Sequence, residues 1–233
     1  MQTDSVWDSV TKSLLSKNPK LELVSEDLSK GDFDGFEDWT HDFCRRVDEQ
    51  GSGEKQFLLG YSLGGRLALY ACLHRPDLWQ GVIVVGADPG TSSEEEKKKQ
   101  LRRDREWARK LRNQPIEKLI EEWNDQPVFC GLQNLSLREL GYLNAKKISR
   151  QFEVFSKGRQ RNLVPELSQM RNPLILFVSG EKDEKYSSVG EKLASSCKTV
   201  EFKVIPGAGH RVPWENPNEF SLAVCRFIER CVT

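Results

Sequence analysis

The feature that most limits what this chain folds into is an alternation of short apolar runs with stretches of helical spacing. The runs are Leu21-Glu22-Leu23-Val24, Gln56-Phe57-Leu58-Leu59-Gly60, Gly81-Val82-Ile83-Val84-Val85-Gly86, Leu174-Ile175-Leu176-Phe177-Val178 and Val200-Glu201-Phe202-Lys203-Val204-Ile205. Helical spacing fills Val6 to Leu15, about 37 to 49, Leu63 to Leu73, about 188 to 196 and about 217 to 231. A run such as 81–86, with no polar residue to present to water, suits a parallel strand covered on both faces. Successive βα units with right-handed crossovers then build an α/β, doubly wound, mostly parallel sheet. Between about 88 and 167 the alternation stops, and Trp107, Leu111, Leu119, Ile120 and Trp123 recur at helical spacing with no strand between them. A helical cap inserted after the third strand is predicted, dividing the chain into core (1–87), cap (88–167) and core (168–233).

The balance of charge narrows the function. Thirty-five Lys and Arg offset 35 Asp and Glu, which argues against binding nucleic acid through bulk electrostatics. No apolar run approaches the roughly 20 residues that cross a bilayer, and Met1-Gln2-Thr3-Asp4-Ser5 lacks the basic and apolar regions of a signal peptide, so a cytoplasmic location is expected. The six cysteines (Cys44, Cys72, Cys130, Cys197, Cys225, Cys231) show no CxxC or Cys/His spacing and read as free buried thiols. Neither a disulfide framework nor a zinc site is expected. Glu94-Glu95-Glu96-Lys97-Lys98-Lys99 reads as a solvated helix start, acidic residues first.

The chemistry centres on Gly60-Tyr61-Ser62-Leu63-Gly64-Gly65. G-x-S-x-G is weak alone; here an apolar strand ends at Gly60 and an apolar-faced helix begins at Leu63, the setting of a nucleophile elbow. Small residues at Gly60 and Gly64 let the crossing backbones approach, and the Leu63 N–H points where an oxyanion would develop. A serine hydroxyl needs a histidine to take its proton. His41 and His74 fall inside helices and read as structural, whereas His210 follows a strand in Pro206-Gly207-Ala208-Gly209-His210, at the sheet edge where catalytic groups gather. The orienting carboxylate is expected in Ser179-Gly180-Glu181-Lys182-Asp183; Glu181 and Asp88 compete, and Asp183 is favoured for its distance into the loop. Ser62, Asp183, His210 is the chain order of α/β-hydrolases.

These residues resemble the MenH family of that superfamily, the 2-succinyl-6-hydroxy-2,4-cyclohexadiene-1-carboxylate (SHCHC) synthases of menaquinone biosynthesis. The resemblance runs from about Trp7 to the C-terminus. It is carried by Gly60 to Arg66, Ala87-Asp88-Pro89-Gly90, Arg102-Arg103-Asp104-Arg105-Glu106-Trp107-Ala108, Glu122-Trp123 through Gln126-Pro127-Val128-Phe129, Gly180 to Tyr186 and Gly207 to His210. It implies an α/β-hydrolase-type sheet with an inserted cap, and a lyase whose triad removes a proton from a polycarboxylate substrate and eliminates pyruvate without cofactor or metal. It also implies substrate contacts from Tyr61, Arg66, Arg102 and Trp123. Arg66, one turn beyond Ser62, has a guanidinium suited to bidentate carboxylate binding; the alternative for it is a surface arginine on the elbow helix. Glu94 to Arg112 holds nine Lys and Arg against five Asp and Glu, most of them expected on a solvated face.

The chain departs from the family at three places. Two family arginines fall by register on Gln100 and Asn144, and Tyr186 stands where the family has Phe. The family's His-Gly-Phe-x-Gly loop, source of a second oxyanion N–H, has no counterpart after Met1. About five core strands and impaired catalysis are therefore expected, with the strand at 21–24 either pairing directly with that at 56–60 or marking an incomplete version of a longer chain. A carboxylic-ester or thioester hydrolase using the same triad, and a non-catalytic interaction protein, are the alternatives.

Overall fold

The computed structural model describes residues 7–28, 30–51, 56–126 and 145–232. Val6, Cys130, Asn144 and the 127–129 part of the cap motif lie outside them. Helix α1 (Asp8–Lys17) buries Val10 and Leu14, one turn apart, and α2 (Phe36–Gln50) buries Phe36, Trp39, Phe43 and Cys44 along one stripe. Strand β1 (Gln56–Tyr61) leads into α3 (Leu63–His74), which is buried from Gly65 to Cys72. Strand β2 (Trp79–Val85) ends the first half of the core. Between β2 and β3 lie the cap helices α4 (Glu94–Asn113), α5 (Ile116–Asn124) and α6 (Ala145–Val154), and then α7 (Val164–Gln169), whose Leu167 packs in the core. The core then resumes with β3 (Leu174–Gly180), α8 (Glu184–Ser196), β4 (Val200–Ile205), α9 (Val212–Glu215) and α10 (Pro217–Val232).

The four strands pair in parallel in the order β1-β2-β3-β4. Alternation along each strand divides the core between two faces. Val82, Val84, Ile175 and Phe177 join a cluster with α2, α3 and α8, while Ile83, Val85, Leu176 and Val178 join one with α1 and α10. This doubly wound arrangement brings the carboxyl ends of β1, β2 and β3 side by side, with Tyr61 opposite Val85 and Val85 opposite Val178.

The predicted strand at Leu21–Val24 does not form, so the sheet has four strands among the described residues rather than about five. Only Leu21 packs against a core cluster, while Leu23 is 42% and Val24 88% exposed. Three apolar residues interrupted by Glu22 bury too little surface to hold the segment against β1, and no ladder is made with it. Helix α8 begins at Glu184, earlier than the predicted 188, because the Asp183 side chain caps it.

The cap packs around Trp107, Leu111, Leu119 and Ile148, flanked by Trp123 and Phe152. Ser93 caps α4 by accepting from the Glu96 N–H, and acidic residues fill the first turn and basic ones the last. The expectation of helix throughout this block fails between Phe155 and Leu163, which is irregular. Within it Gly158 lets the segment approach α4 closely, since a Cβ there would lie 2.9 Å from the Leu101 backbone nitrogen. At the base of the cap, Leu163 N–H donates to Pro89 O at 2.8 Å and Gln160 Nε2 to Asp88 O at 2.7 Å. Cys44, Cys72, Cys197 and Cys225 are buried free thiols and Cys231 is half-buried. Burial pushes the Cys44 thiol up to about 11 and that of Cys72 up to about 12. Among the described residues no helix is long and apolar enough to cross a membrane.

Candidate active site

Ser62 occupies the turn between β1 and α3 with φ +51° and ψ −108°. It is the one described non-glycine residue with positive φ, a conformation held only where the surroundings enforce it. The enforcement is visible: Ser62 N–H donates to Val85 O at 2.9 Å, and Arg66 N–H to Ser62 O at 3.1 Å. The earlier N–H groups of α3, beginning with Leu63, precede the first helical bond and point out of the helix end. The tight crossing needs Gly60, where a Cβ would stand 2.7 Å from the Gly65 nitrogen, and Gly65, where one would stand 2.7 Å from the Ala87 methyl. The expectation for Gly64 is corrected, since a Cβ there meets nothing within 4 Å. Gly64 contributes the backbone that Gly60 would strike, and its own side is open.

His210 and Asp183 form a buried pair, Nδ1 to Oδ2 at 2.6 Å, with His210 4% and Asp183 7% exposed. The carboxylate accepts, so Nδ1 carries the proton and Nε2 presents a lone pair. The other Asp183 oxygen, Oδ1, accepts from the Tyr186 N–H at 3.3 Å. The imidazole stacks on Tyr186 with ring centroids 4.8 Å apart and meets Tyr61 at 5.4 Å. It also lies over Gly86, where a Cβ would come within 2.9 Å of its Cε1. Ser62 and His210 thus converge on the same Val85-Gly86 turn. Glu181 accepts instead from the Gly207 N–H at 2.8 Å, bracing the histidine loop. Asp88 caps the Gly90 N–H at 3.0 Å and lies 3.6 Å from Lys157 Nζ.

Tyr61 packs between His210 and Trp214, at 5.4 and 5.0 Å, and burial raises the pKa of its hydroxyl. Arg66 is no surface arginine. It is 8% exposed, its Nη1 donates to Phe155 O at 2.9 Å and to Gln160 Oε1 at 3.3 Å, and its guanidinium lies 5.2 Å from the Phe36 ring centroid. Burial lowers its pKa, while Tyr186, Asp104 and Asp88 act the other way. Arg102 is not brought to the site. It stands exposed on α4, whose inward side carries Trp107, Ala108 and Leu111. Trp123 belongs to the cap core, edge-on to Trp107 at 5.1 Å and to Phe152 at 5.6 Å. The next residue, Asn124, accepts from Arg211 Nη2 at 3.2 Å, joining α5 to the histidine loop. His41 and His74 stack on each other at 4.3 Å, between α2 and α3 and away from Ser62.

Several charged groups at the core–cap junction were not singled out by the sequence. Lys157 Nζ donates to Tyr186 Oη at 2.7 Å. Asp104 accepts from Ser156 Oγ at 2.6 Å and from the Lys157 N–H, and burial raises its pKa. The signal available was Gly158, a helix breaker inside a block read as continuous helix. Among the described residues no group of three or more His, Cys, Asp or Glu is placed to hold a metal ion.

The sequence profile described as the alpha/beta hydrolase fold matches residues 16–217. A 2-succinyl-6-hydroxy-2,4-cyclohexadiene-1-carboxylate synthase of Escherichia coli O1:K1 is 35% identical over 188 residues, 79% of this chain and 72% of that protein. The enzyme of the same name from Shigella sonnei is 36% identical over 189 residues, with the same coverage. Among solved structures, MenH from S. aureus superposes with a TM-score of 0.85 at 22% identity, covering 96% of this chain and 90% of that one. A thermophilic esterase from Thermogutta terrifontis superposes with a TM-score of 0.74 at 18% identity, over 97% and 86%.

Proposed function

The chain belongs to the alpha/beta-hydrolase family and, within it, to the SHCHC synthases, and from that premise we propose that it eliminates pyruvate from a polycarboxylate cyclohexene substrate to give SHCHC in menaquinone biosynthesis. In this reading His210 Nε2 accepts the Ser62 hydroxyl proton and Asp183 holds the tautomer and the imidazolium that forms. The Ser62 oxygen takes the proton from the substrate carbon, and the electron pair left behind expels the enolpyruvyl oxygen. The departing enolate regains a proton and leaves as pyruvate. Charge that develops on the substrate during proton removal faces the Leu63 N–H at the start of α3. No group beyond these side chains is needed to balance the step.

The observation that carries the reading is the buried Arg66 guanidinium one turn beyond Ser62, beneath the cap. An esterase pocket is mostly apolar with a few polar groups, whereas a substrate with several carboxylates needs fixed cations. Tyr61 supports it as the wall behind the imidazole.

The test is pyruvate release from the family's substrate, followed continuously for the parent and for Ser62→Ala. Release that vanishes in the variant is expected. A parent that releases no pyruvate but hydrolyses simple acyl esters through Ser62 refutes the lyase and leaves a hydrolase.

A further inference from the structure

Four charged side chains gather where α3 meets the cap: Arg66, which is buried, and Asp88, Asp104 and Lys157, which are half-buried. Their bonds are unequal. Asp104 is occupied by Ser156 Oγ and the Lys157 N–H, and one oxygen of Asp88 by the Gly90 N–H. The two cations are less well matched. Arg66 uses Nη1 alone, on two neutral oxygens, and its contacts with the described residues include no ion pair. Lys157 has one short bond, to the neutral Tyr186 hydroxyl, and a carboxylate at 3.6 Å, beyond the 2.7–2.9 Å of a charge-assisted hydrogen bond. Burial works against both charges. Removing a cation from water without a close counter-ion is unfavourable, and an incoming anion relieves it.

The position of this unmatched charge is fixed by Tyr186. Its hydroxyl holds Lys157, and its ring stacks on His210 at 4.8 Å. A group bound at Lys157 therefore sits one aromatic ring from the imidazole. We propose that Lys157, anchored by the Tyr186 hydroxyl and acting with Arg66, is a substrate-binding residue that receives a carboxylate of the ligand beside His210. The proposal rests on the polycarboxylate-lyase reading and adds to it a cation from the irregular 155–163 segment. Asp88 is the resting partner of Lys157, loose enough at 3.6 Å to be exchanged for a ligand oxygen.

The experiment separates this proposal from the reading beneath it by measuring binding without turnover. Saturation-transfer NMR titrations with succinate, and with neutral succinamide as control, are run on the parent, Lys157→Met, Lys157→Arg and Tyr186→Phe. The parent is expected to bind succinate and not succinamide. Lys157→Met should weaken succinate binding by roughly tenfold to a hundredfold, the range for a hydrogen bond to a charged group. Lys157→Arg should restore most of it, and Tyr186→Phe, which keeps the ring and frees the ammonium, should lose several-fold. A purely structural lysine would show no rescue by arginine. Unchanged succinate affinity in Lys157→Met, or no succinate binding by the parent, overturns the proposal. If Lys157→Met does not fold, equal affinity in the parent and Tyr186→Phe overturns it instead. Succinate binding that depends on Lys157 in a protein that releases no pyruvate would uphold the carboxylate site and refute the lyase.

Discussion

Gly180 offers a way to move His210 without touching any group that handles a proton. It ends β3, and a Cβ built on it would lie 2.6 Å from the Ala208 carbonyl carbon, closer still to the carbonyl oxygens of Ala208 and Gly209. These are backbone atoms, so no side-chain rotation relieves the overlap. Restoring ordinary contact at 3.4 Å requires the histidine loop to retreat by about 0.8 Å at that carbon. Clearing the oxygens takes the shift to about 1.2 Å. The loop is braced on several sides: Lys182 N–H donates to Ala208 O at 2.8 Å and Gly207 N–H to Glu181 at 2.8 Å, while Glu215 accepts from the Gly209 and Arg211 N–H groups. It therefore moves as a unit and carries the imidazole with it. A misplacement of about 1 Å lowers a rate by roughly 10²-fold, equivalent to about 2.7 kcal/mol of barrier. Overpacking also lowers stability, by about 1–3 kcal/mol, or roughly 2–12 °C in melting temperature for a chain of this size. Pyruvate release by Gly180→Ala, beside thermal melts, gives both numbers. A folded variant whose kcat stays within about threefold of the parent refutes the argument that this contact sets the position of His210.

The elbow supplies a second pair of outcomes: Gly64→Ala should fold and turn over like the parent, whereas Gly65→Ala, blocked by Ala87, should lose roughly 1–3 kcal/mol and most activity in the same assays. Trp107→Ala should lower cap stability by about 3–5 kcal/mol, read as hydrogen exchange that quickens in α4 and α6 while β2 and β3 stay protected. Burial raises the Asp104 pKa, so the folded state holds its proton more tightly than the unfolded chain, and this group's contribution to stability falls as pH rises from the ordinary aspartate range through the raised value. Asp104→Asn, which removes that titration, should therefore gain in melting temperature relative to the parent as pH is raised across this window; a difference independent of pH refutes the assignment.

The sheet was legible where burial is two-sided and the chain has little choice. Gly81 to Gly86 and Leu174 to Val178 carry no charged or polar residue and are buried but for Leu174 at the start, and both are interior strands. Leu21 to Val24 carries the same signal at lower strength, and nothing local distinguishes a short exposed apolar segment from a short strand. The positions of Ser62, Asp183 and His210 were readable because each follows a strand at one edge of a parallel sheet, a consequence of topology. The cap was less readable. Helical spacing marks its packed helices, but the 155–163 segment is held by long-range polar contacts, Arg66 to Phe155 O among them, that leave no periodic trace. Arg102 and Lys157 show the result: charge type alone does not say which side of a helix or turn faces inward.

The base of the cap has a consequence for how such chains diversify. Pro89 and Leu163 are bonded to one another at 2.8 Å, and a side chain on Gly90 would run into the Arg161 backbone. More than seventy residues lie between these two neighbouring points of the chain. Insertions are best tolerated where the chain departs and returns at neighbouring points. Cap residues that do not touch the core can lengthen, shorten or be exchanged without altering the register of one strand, whereas Phe155, packed in the core beside Phe36, and Asn124, bonded to Arg211, tie their neighbours to the sheet's own rate of change.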